Sequence, residues 1–231
     1  MKKISKRKKE LNALIIQKNY SLDSAISLLK KLGTAKFVES VEAHISLNIE
    51  PKYANQQLRT SLILPNGTGK KLRIAVFTQA DLVQEMLDLG AYIAGEDDLI
   101  ENINSEKFDF DLLITTPNLM PKLAKLGRIL GPKGLMPSPK SGTVTTNLAK
   151  TINEFNQGKL EYKADKTGIV HLRFGKINFL EQQLKENLVA VYNSIEKNKP
   201  SGARGRYFKS FTICTSMSPS INLELNTLKQ K

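Results

Sequence analysis

Two short stretches of strict apolar–polar alternation enclose a long run of a different kind. Over 41–49, Val41, Ala43, Ile45, Leu47 and Ile49 share one side and Glu42, His44, Ser46 and Asn48 the other. A period of two is the pattern of a strand buried on one face. It returns at 169–174, where Val170, Leu172 and Phe174 oppose Ile169, His171 and Arg173. Between them the apolar residues fall into short segments at 72–78, 82–89, 91–94, 99–103 and 111–116, read as strands separated by helical stretches. Such a series predicts a small α/β unit with parallel strands. After 174, Leu180, Leu184, Leu188, Val191 and Ile195 form one helical stripe, and 207–214 and 221–225 read as further strands. The simplest architecture is one domain built from both ends of the chain, with an α/β domain inserted.

Upstream of the first strand, Ser21 is placed to cap a helix carrying Leu22, Ile26, Leu29 and Leu32 and ending near Gly33. Before it, Lys2, Lys3, Lys6, Arg7, Lys8 and Lys9 repel one another, so a basic arm is expected rather than an isolated helix. Pro65-Asn66-Gly67-Thr68-Gly69 reads as the break between units.

The chain carries 35 basic and 22 acidic residues among 231, a net charge of +13 that favours polyanions over neutral metabolites. No run approaches the roughly 18 apolar residues of a membrane span and no amphipathic helix is basic on one face and aromatic on the other, so no membrane partner is expected. No signal core or transit peptide is read at the basic start, so the protein is expected to work in the compartment where it is made. Within the inserted unit the charge is lopsided. Acidic residues from Asp81 to Asp111 crowd its first half, whereas 112–153 holds none and carries Lys122, Lys125, Arg128, Lys133, Lys140 and Lys150. Two readings compete for that basic stretch: a solvated face that balances the acidic half, and a surface that meets phosphate.

Catalytic readings find no cast, so no catalytic residue, cofactor or metal is expected. Cys214 is the only cysteine and His44 and His171 the only histidines, too few for a structural zinc site of Cys and His. Cys214, in the alternation Phe211-Thr212-Ile213-Cys214, reads as a small core residue rather than a nucleophile. His44 falls on the polar face of its strand, where a surface role is expected. The serious rival is a nucleotide-dependent enzyme using the inserted unit, binding ATP or NAD near 127–142. Yet Gly67-Thr68-Gly69-Lys70-Lys71 lacks the upstream glycine and the following Ser or Thr of a phosphate loop, and it precedes a strand. Gly127-Arg128-Ile129-Leu130-Gly131-Pro132-Lys133-Gly134 lacks the Gly-x-Gly-x-x-Gly spacing.

The segment Gly127-Arg128-Ile129-Leu130-Gly131-Pro132-Lys133-Gly134-Leu135-Met136-Pro137-Ser138-Pro139-Lys140-Ser141-Gly142-Thr143-Val144 closely resembles the signature of the universal large-subunit ribosomal protein one, the L-one family, in its bacterial and plastid form. Thr34-Ala35-Lys36-Phe37, Asp165-Lys166-Thr167-Gly168, Lys199-Pro200-Ser201-Gly202-Ala203 and Thr215-Ser216-Met217-Ser218-Pro219-Ser220 are also similar to family segments, so the likeness spans the chain after the basic arm. The resemblance implies an α/β protein: an α+β split RNA-binding domain with an inserted Rossmann-like α/β domain, joined by a hinge. The expected boundaries are 1–10 for the arm, 11–66 with 159–231 for the discontinuous domain, and 67–158 for the insertion.

The same resemblance implies a structural, non-enzymatic constituent of the large ribosomal subunit. It would bind large-subunit rRNA at the mobile stalk beside the tRNA exit site and assist release of deacylated tRNA. Its implied partners are that rRNA, exit-site tRNA, other large-subunit components and, as in repressor members, its own messenger RNA; a freestanding RNA-binding regulator is the nearest alternative. By likeness the rRNA-binding residues are Lys36, Phe37, Ser40, Lys163, Asp165, Lys166, His171, Ser210, Ser216, Met217 and Ser218. Without the resemblance Phe37 reads equally as core, and Lys163 and Lys166 as solvated charges. Arg128, Lys133 and Lys140 are the residues expected to face tRNA or stalk RNA. Ser218 stands where the family has glycine; if that position needs positive φ or close RNA approach, serine carries a cost. Glu42-Ala43-His44-Ile45-Ser46-Leu47-Asn48-Ile49 and Pro51-Lys52-Tyr53-Ala54 look most like cyanobacterial and plastid members, so a plastid-encoded chloroplast protein is the first expectation and a bacterial cytoplasmic one the second.

Overall fold

The computed structural model describes residues 5–228. The chain divides into two compact units, one formed by the residues up to Gly69 together with those from Glu161 onward, the other by Lys70–Leu160. In chain order the first unit begins with α1 (Lys6–Ala13), α2 (Leu22–Leu32), β1 (Ser40–Leu47) and β2 (Arg59–Ile63). The second holds β3 (Ile74–Phe77), α3 (Val83–Asp88), β4 (Ile93–Gly95), α4 (Asp97–Asn104), β5 (Leu112–Thr115), α5 (Met120–Ala124), α6 (Gly127–Lys133) and α7 (Leu148–Asn156). β6 (Lys159–Lys163) crosses the boundary, and β7 (Ile169–Lys176), α8 (Glu181–Lys197), β8 (Phe208–Thr215) and β9 (Ile221–Asn222) complete the first unit. Mixed helices and sheets make the chain α/β. Among the described residues no helix is long and apolar enough to cross a membrane.

The first unit is built on an antiparallel sheet of order β7-β1-β8-β9. Ile45 faces Val170 on one side and Phe211 on the other, so β1 is flanked on both sides by strands from the C-terminal part of the chain. The alternation in β1 is realised in full: Val41, Ala43, Ile45 and Leu47 are buried, while Glu42, His44 and Ser46 are partly accessible. Helices α2 and α8 pack on the buried side. α2 follows its signals, with Ser21 at the cap, Asp23 in the first turn, Lys30 and Lys31 in the last, and Gly33 after it. α8 turns Leu184, Leu188, Val191, Tyr192 and Ile195 inward.

Asn187 breaks that apolar stripe. It is fully buried, donating from Nδ2 to the carbonyls of Phe174 (2.8 Å) and Gly67 (3.0 Å) and accepting the Asn66 N–H at 3.0 Å. The 65–69 turn, with Gly67 and Gly69 at positive φ, is thereby held against α8.

The basic arm, expected to form no isolated helix, carries a packed one. Lys2 and Lys3 lie outside the described residues, but from Lys6 the chain is helical. The helix is not isolated, so tertiary partners offset the charge repulsion. Ser5 caps the Lys8 N–H, Leu11 is buried, and Arg7 donates from Nε to the Thr34 hydroxyl at 3.1 Å.

In the second unit three parallel strands run in the order β4-β3-β5. Every residue of β3 is buried because the sheet is covered on both faces. Ala75 and Phe77 join Leu113 and residues of α4, α5 and α6, whereas Ile74 and Val76 join Ile114 and residues of α3 and α7.

Candidate nucleic-acid interface

Two loops meet at the start of β1. One, between α2 and β1, carries Lys36 and Phe37; the other, after β8, carries Ser216, Met217 and Ser218. The Ser40 N–H donates to Ser216 Oγ and the Ser216 N–H to the Ser40 carbonyl, both at 3.1 Å. Their common anchor is Glu39, only 1% exposed. Its Oε1 accepts the Ala35 N–H at 2.9 Å, and its Oε2 accepts the Met217 N–H at 3.1 Å and the Thr215 hydroxyl. Burial alone would raise the Glu39 pKa. The bonds from Thr215, Ala35 and Met217, with Arg7 at 3.9 Å, outweigh it and hold the carboxyl below the usual glutamate range. The buried anion fixes both loops with their bulky apolar side chains outward, Phe37 55% and Met217 56% exposed. The core reading of Phe37 does not hold.

Glu39 escaped the sequence reading, as did exposed Val38 beside Phe37. The available signal was the acidic residue just before a buried alternation. Ser218 keeps ordinary backbone: among the described residues Glu106 is the only non-glycine at positive φ. Its Oγ accepts the Thr215 N–H at 2.9 Å and donates to the Pro219 carbonyl at 3.0 Å, so serine carries no backbone cost there.

Lys163, Asp165 and Lys166 gather at the other end of β1. Asp165 opens a tight turn, its Oδ1 accepting the N–H groups of Thr167 (2.9 Å) and Ile169 (2.8 Å). The Ile169 bond is the main reason its pKa is lowered. Gly168 closes the turn at φ 78°, its carbonyl accepting the Leu47 N–H. Lys163 and Lys166, both exposed, flank a cavity of about 460 Å³ that Lys52 and Arg59 also line. Arg59 is ion-paired with Glu161. Neither Lys52 nor Arg59 stood out in the sequence: Lys52 sits in a turn, and Arg59 opens β2, a strand without alternating burial.

The open face of the sheet joins these ends. Ser40 and Ser46 lie six residues apart, about 20 Å along a strand. Ser210 is exposed beside Ser46, and His171 pairs with His44 between the two ends. Cys214 lies here as well, which corrects its core reading. Phe211 and Ile213 point inward, so the same period of two sends Cys214 to the outer face, half-covered, its Sγ 3.2 Å from His44 Nε2. Burial, then the Glu42 charge, pushes the thiol pKa up, so the group is no activated nucleophile.

Arg128, Lys133 and Lys140 are exposed in the second unit, separate from the residues above. The expected loop over 127–142 is corrected in part, since its first half is α6. Leu130 is buried, and Gly134 at φ 72° ends the helix, with the Gly134 and Leu135 N–H groups returning to the Gly131 and Leu130 carbonyls. Lys133 Nζ sits 3.5 Å from the centre of the Phe108 ring. The second half is a knot of hydroxyls, with Thr143 Oγ1 accepting the Ser138 N–H at 2.8 Å and Ser141 donating to the Ser138 carbonyl at 2.9 Å.

A model of the Ribosomal protein L1p/L10e family matches residues 29–219. The chain belongs to this family. It is 59% identical over 227 residues to large ribosomal subunit protein uL1c of Trieres chinensis, covering 98% of this chain and 99% of that one. It is 55% identical over 231 residues to the uL1c of Rhodomonas salina, covering 100% and 99%. It is 54% identical over 229 residues to uL1 of Prochlorococcus marinus (strain NATL1A), covering 99% and 97%. The L1p/L10e family is one of ribosomal proteins, not of enzymes. In this member β3 runs into Thr78-Gln79-Ala80-Asp81, an acidic turn where a dinucleotide fold places glycines.

Proposed function

We propose that this chain is a structural constituent of the large ribosomal subunit whose discontinuous unit grips large-subunit rRNA at the mobile stalk beside the tRNA exit site. The observation that carries the reading is the Glu39 anchor, which holds Phe37 and Met217 in solvent. Exposed apolar side chains on fixed loops suit stacking against bases and riboses, and the hydroxyls of Ser40, Ser210, Ser216 and Ser218 suit the 2′-hydroxyls of RNA. Lys36 at one end, and Lys163 and Lys166 with Lys52 and Arg59 at the other, neutralise phosphates and release their counterions. His171 lies along the path between them. Asp165 serves by shaping the lysine-bearing turn.

The inserted unit then meets exit-site tRNA or stalk RNA through Arg128, Lys133 and Lys140 as deacylated tRNA leaves, and the rRNA grip also serves to bind the chain's own messenger RNA as repressor. Kinship with the uL1c proteins supports a plastid-encoded protein of the plastid stroma. The Prochlorococcus relative supports the bacterial cytoplasm as the second reading.

The test is binding of the full chain to a stalk rRNA fragment. Phe37→Ala weakens it by about 1–3 kcal/mol if the ring stacks on one base, and Met217→Ala weakens it through lost apolar contact. Lys133→Ala leaves it unchanged, and affinity falls steeply with added salt. Equal losses from all three variants, or a flat salt dependence, overturn the reading.

A further inference from the structure

On the outer face of the first unit's sheet, Glu42, His44 and Cys214 each turn a ligand atom to one point. Glu42 and His44 are two residues apart on β1 and therefore share a face, and Cys214 lies directly across from Glu42 on β8. His44 Nε2 is 3.2 Å from Cys214 Sγ and 4.0 Å from Glu42 Oε2, and the three ligand atoms all lie within 4.8 Å of one another. A tetrahedral zinc ion, with bonds of roughly 2.0–2.3 Å, holds its ligand atoms about 3.3–3.6 Å apart. Shifts of up to about an ångström therefore convert the cluster into three corners of a tetrahedron. Counting only Cys and His overlooks the site, because the third ligand is a carboxylate.

The surroundings favour the bound form. His44 uses Nε2 toward the cluster, and its Nδ1 lies 2.8 Å from His171 Nδ1. A metal on Nε2 fixes the proton of His44 on Nδ1, from which it is donated to His171. His171 in turn presents Nε2 to Asp165 Oδ2 at 3.7 Å. Metal-bound imidazoles are oriented through the second nitrogen by a hydrogen-bond acceptor, which sets tautomer and ring angle, and His171 Nδ1 takes that place here.

We propose that Glu42, His44 and Cys214 form a binding site for a borderline-soft divalent cation, zinc by preference, with His171 as a positioning residue and the fourth place taken by solvent water. Thiolate, imidazole and carboxylate together select zinc over magnesium or calcium, which take oxygen ligands. As the metal–sulfur bond forms, the Cys214 thiol proton leaves to solvent, with no change of oxidation state. The inference goes beyond the RNA reading and does not rest on it.

Titration of the full chain with Co²⁺, followed by absorption and then by displacement with Zn²⁺, tests it. One equivalent of Co²⁺ gives a thiolate-to-cobalt charge-transfer band and the intense visible bands of tetrahedral coordination, both abolished by Zn²⁺. Cys214→Ser removes the charge-transfer band, and His44→Gln and Glu42→Gln each lower affinity at least tenfold. His171→Ala retains the band but weakens affinity by about 10–100-fold, as expected of an orienting partner. Ser46→Ala, on the same face, retains wild-type affinity. Absence of a thiolate band in the wild type, or equal Co²⁺ affinity in wild type and Cys214→Ser, overturns the proposal. Circular dichroism of each variant confirms that the sheet is intact.

Discussion

Replacing Glu39 by glutamine removes a charge while leaving the side-chain shape almost unchanged. Glutamine keeps one carbonyl oxygen and places an amide where the second carboxylate oxygen was. The Thr215 hydroxyl can rotate and accept from that amide, but the backbone N–H groups of Ala35 and Met217 need one oxygen each. One of the two is left facing another donor. An unsatisfied N–H costs about 1–3 kcal/mol, and the surviving bond loses its charge-assisted share, against which stands the relief of no longer burying an anion. The balance is a loss of about 1–3 kcal/mol in the first unit. Urea unfolding followed by tyrosine fluorescence measures it, because the chain has no tryptophan and all its tyrosines except Tyr92 lie in that unit.

The pH dependence gives a second readout. The folded Glu39 pKa lies below the ordinary glutamate value, so its contribution is complete above that value and is lost as pH falls through the folded pKa. The stability gap between wild type and Glu39→Gln is therefore widest at neutral pH and narrows below about pH 4. Amide exchange at Ala35 and Met217 quickens in the variant. A gap under about 0.5 kcal/mol at neutral pH, within the range of an ordinary surface substitution, refutes the anchoring role. So does a gap that ignores acid.

Asn187→Ala strips partners from the buried Phe174 carbonyl and from the half-buried Gly67 carbonyl and Asn66 N–H, and should cost about 1–3 kcal/mol by the same urea assay. Gly168→Ala puts a Cβ 2.9 Å from the Ile49 carbonyl at φ 78°, and strain of about 1–2 kcal/mol plus the clash should lower the unfolding midpoint and loosen the Lys163 and Lys166 turn. Asp111 is held at a pKa of about 2, first by Lys70 at 2.9 Å and then by the Arg73 N–H and guanidinium. Its share of stability is present above its ordinary value and lost as pH falls toward 2, so Asp111→Asn should flatten the acid limb of second-unit unfolding, read from amide exchange in β3 and β5.

The periodic parts of the fold were legible because periodicity reports burial directly. The faces of β1, the stripe of α8 and the alternating segments of the second unit follow from spacing alone. Where a second force decided the outcome, spacing misled. α1 forms despite its charge because Leu11 finds a core and Arg7 finds Thr34 and Glu39, contacts no local rule contains. The 127–142 segment hid a helix behind glycines and a proline, since Leu130 packs on the sheet and Gly134 is a stop rather than a loop residue. Cys214 was within reach: carrying the alternation of Phe211 and Ile213 one step further sends it outward. Glu39 and Asn187 were not, as single buried polar residues become visible only when distant backbone arrives to satisfy them. The candidate interface was legible through family likeness, whereas the physics that holds Phe37 and Met217 outward was not.

The register of β1 has a consequence for how the chain is made. Its neighbours β7 and β8 are translated only after the whole of Lys70–Leu160 has been synthesised. The second unit is contiguous and can close as soon as it emerges, whereas α2 and β1 must wait with Ile26, Leu29, Ile45 and Leu47 uncovered until the last strands arrive. Loop closure over so long a separation is slow, and an apolar strand waiting unpaired is a template for wrong partners. For the nascent chain the hazardous interval runs from the appearance of β1 to that of β8, and a chaperone or an early RNA contact has most to offer there.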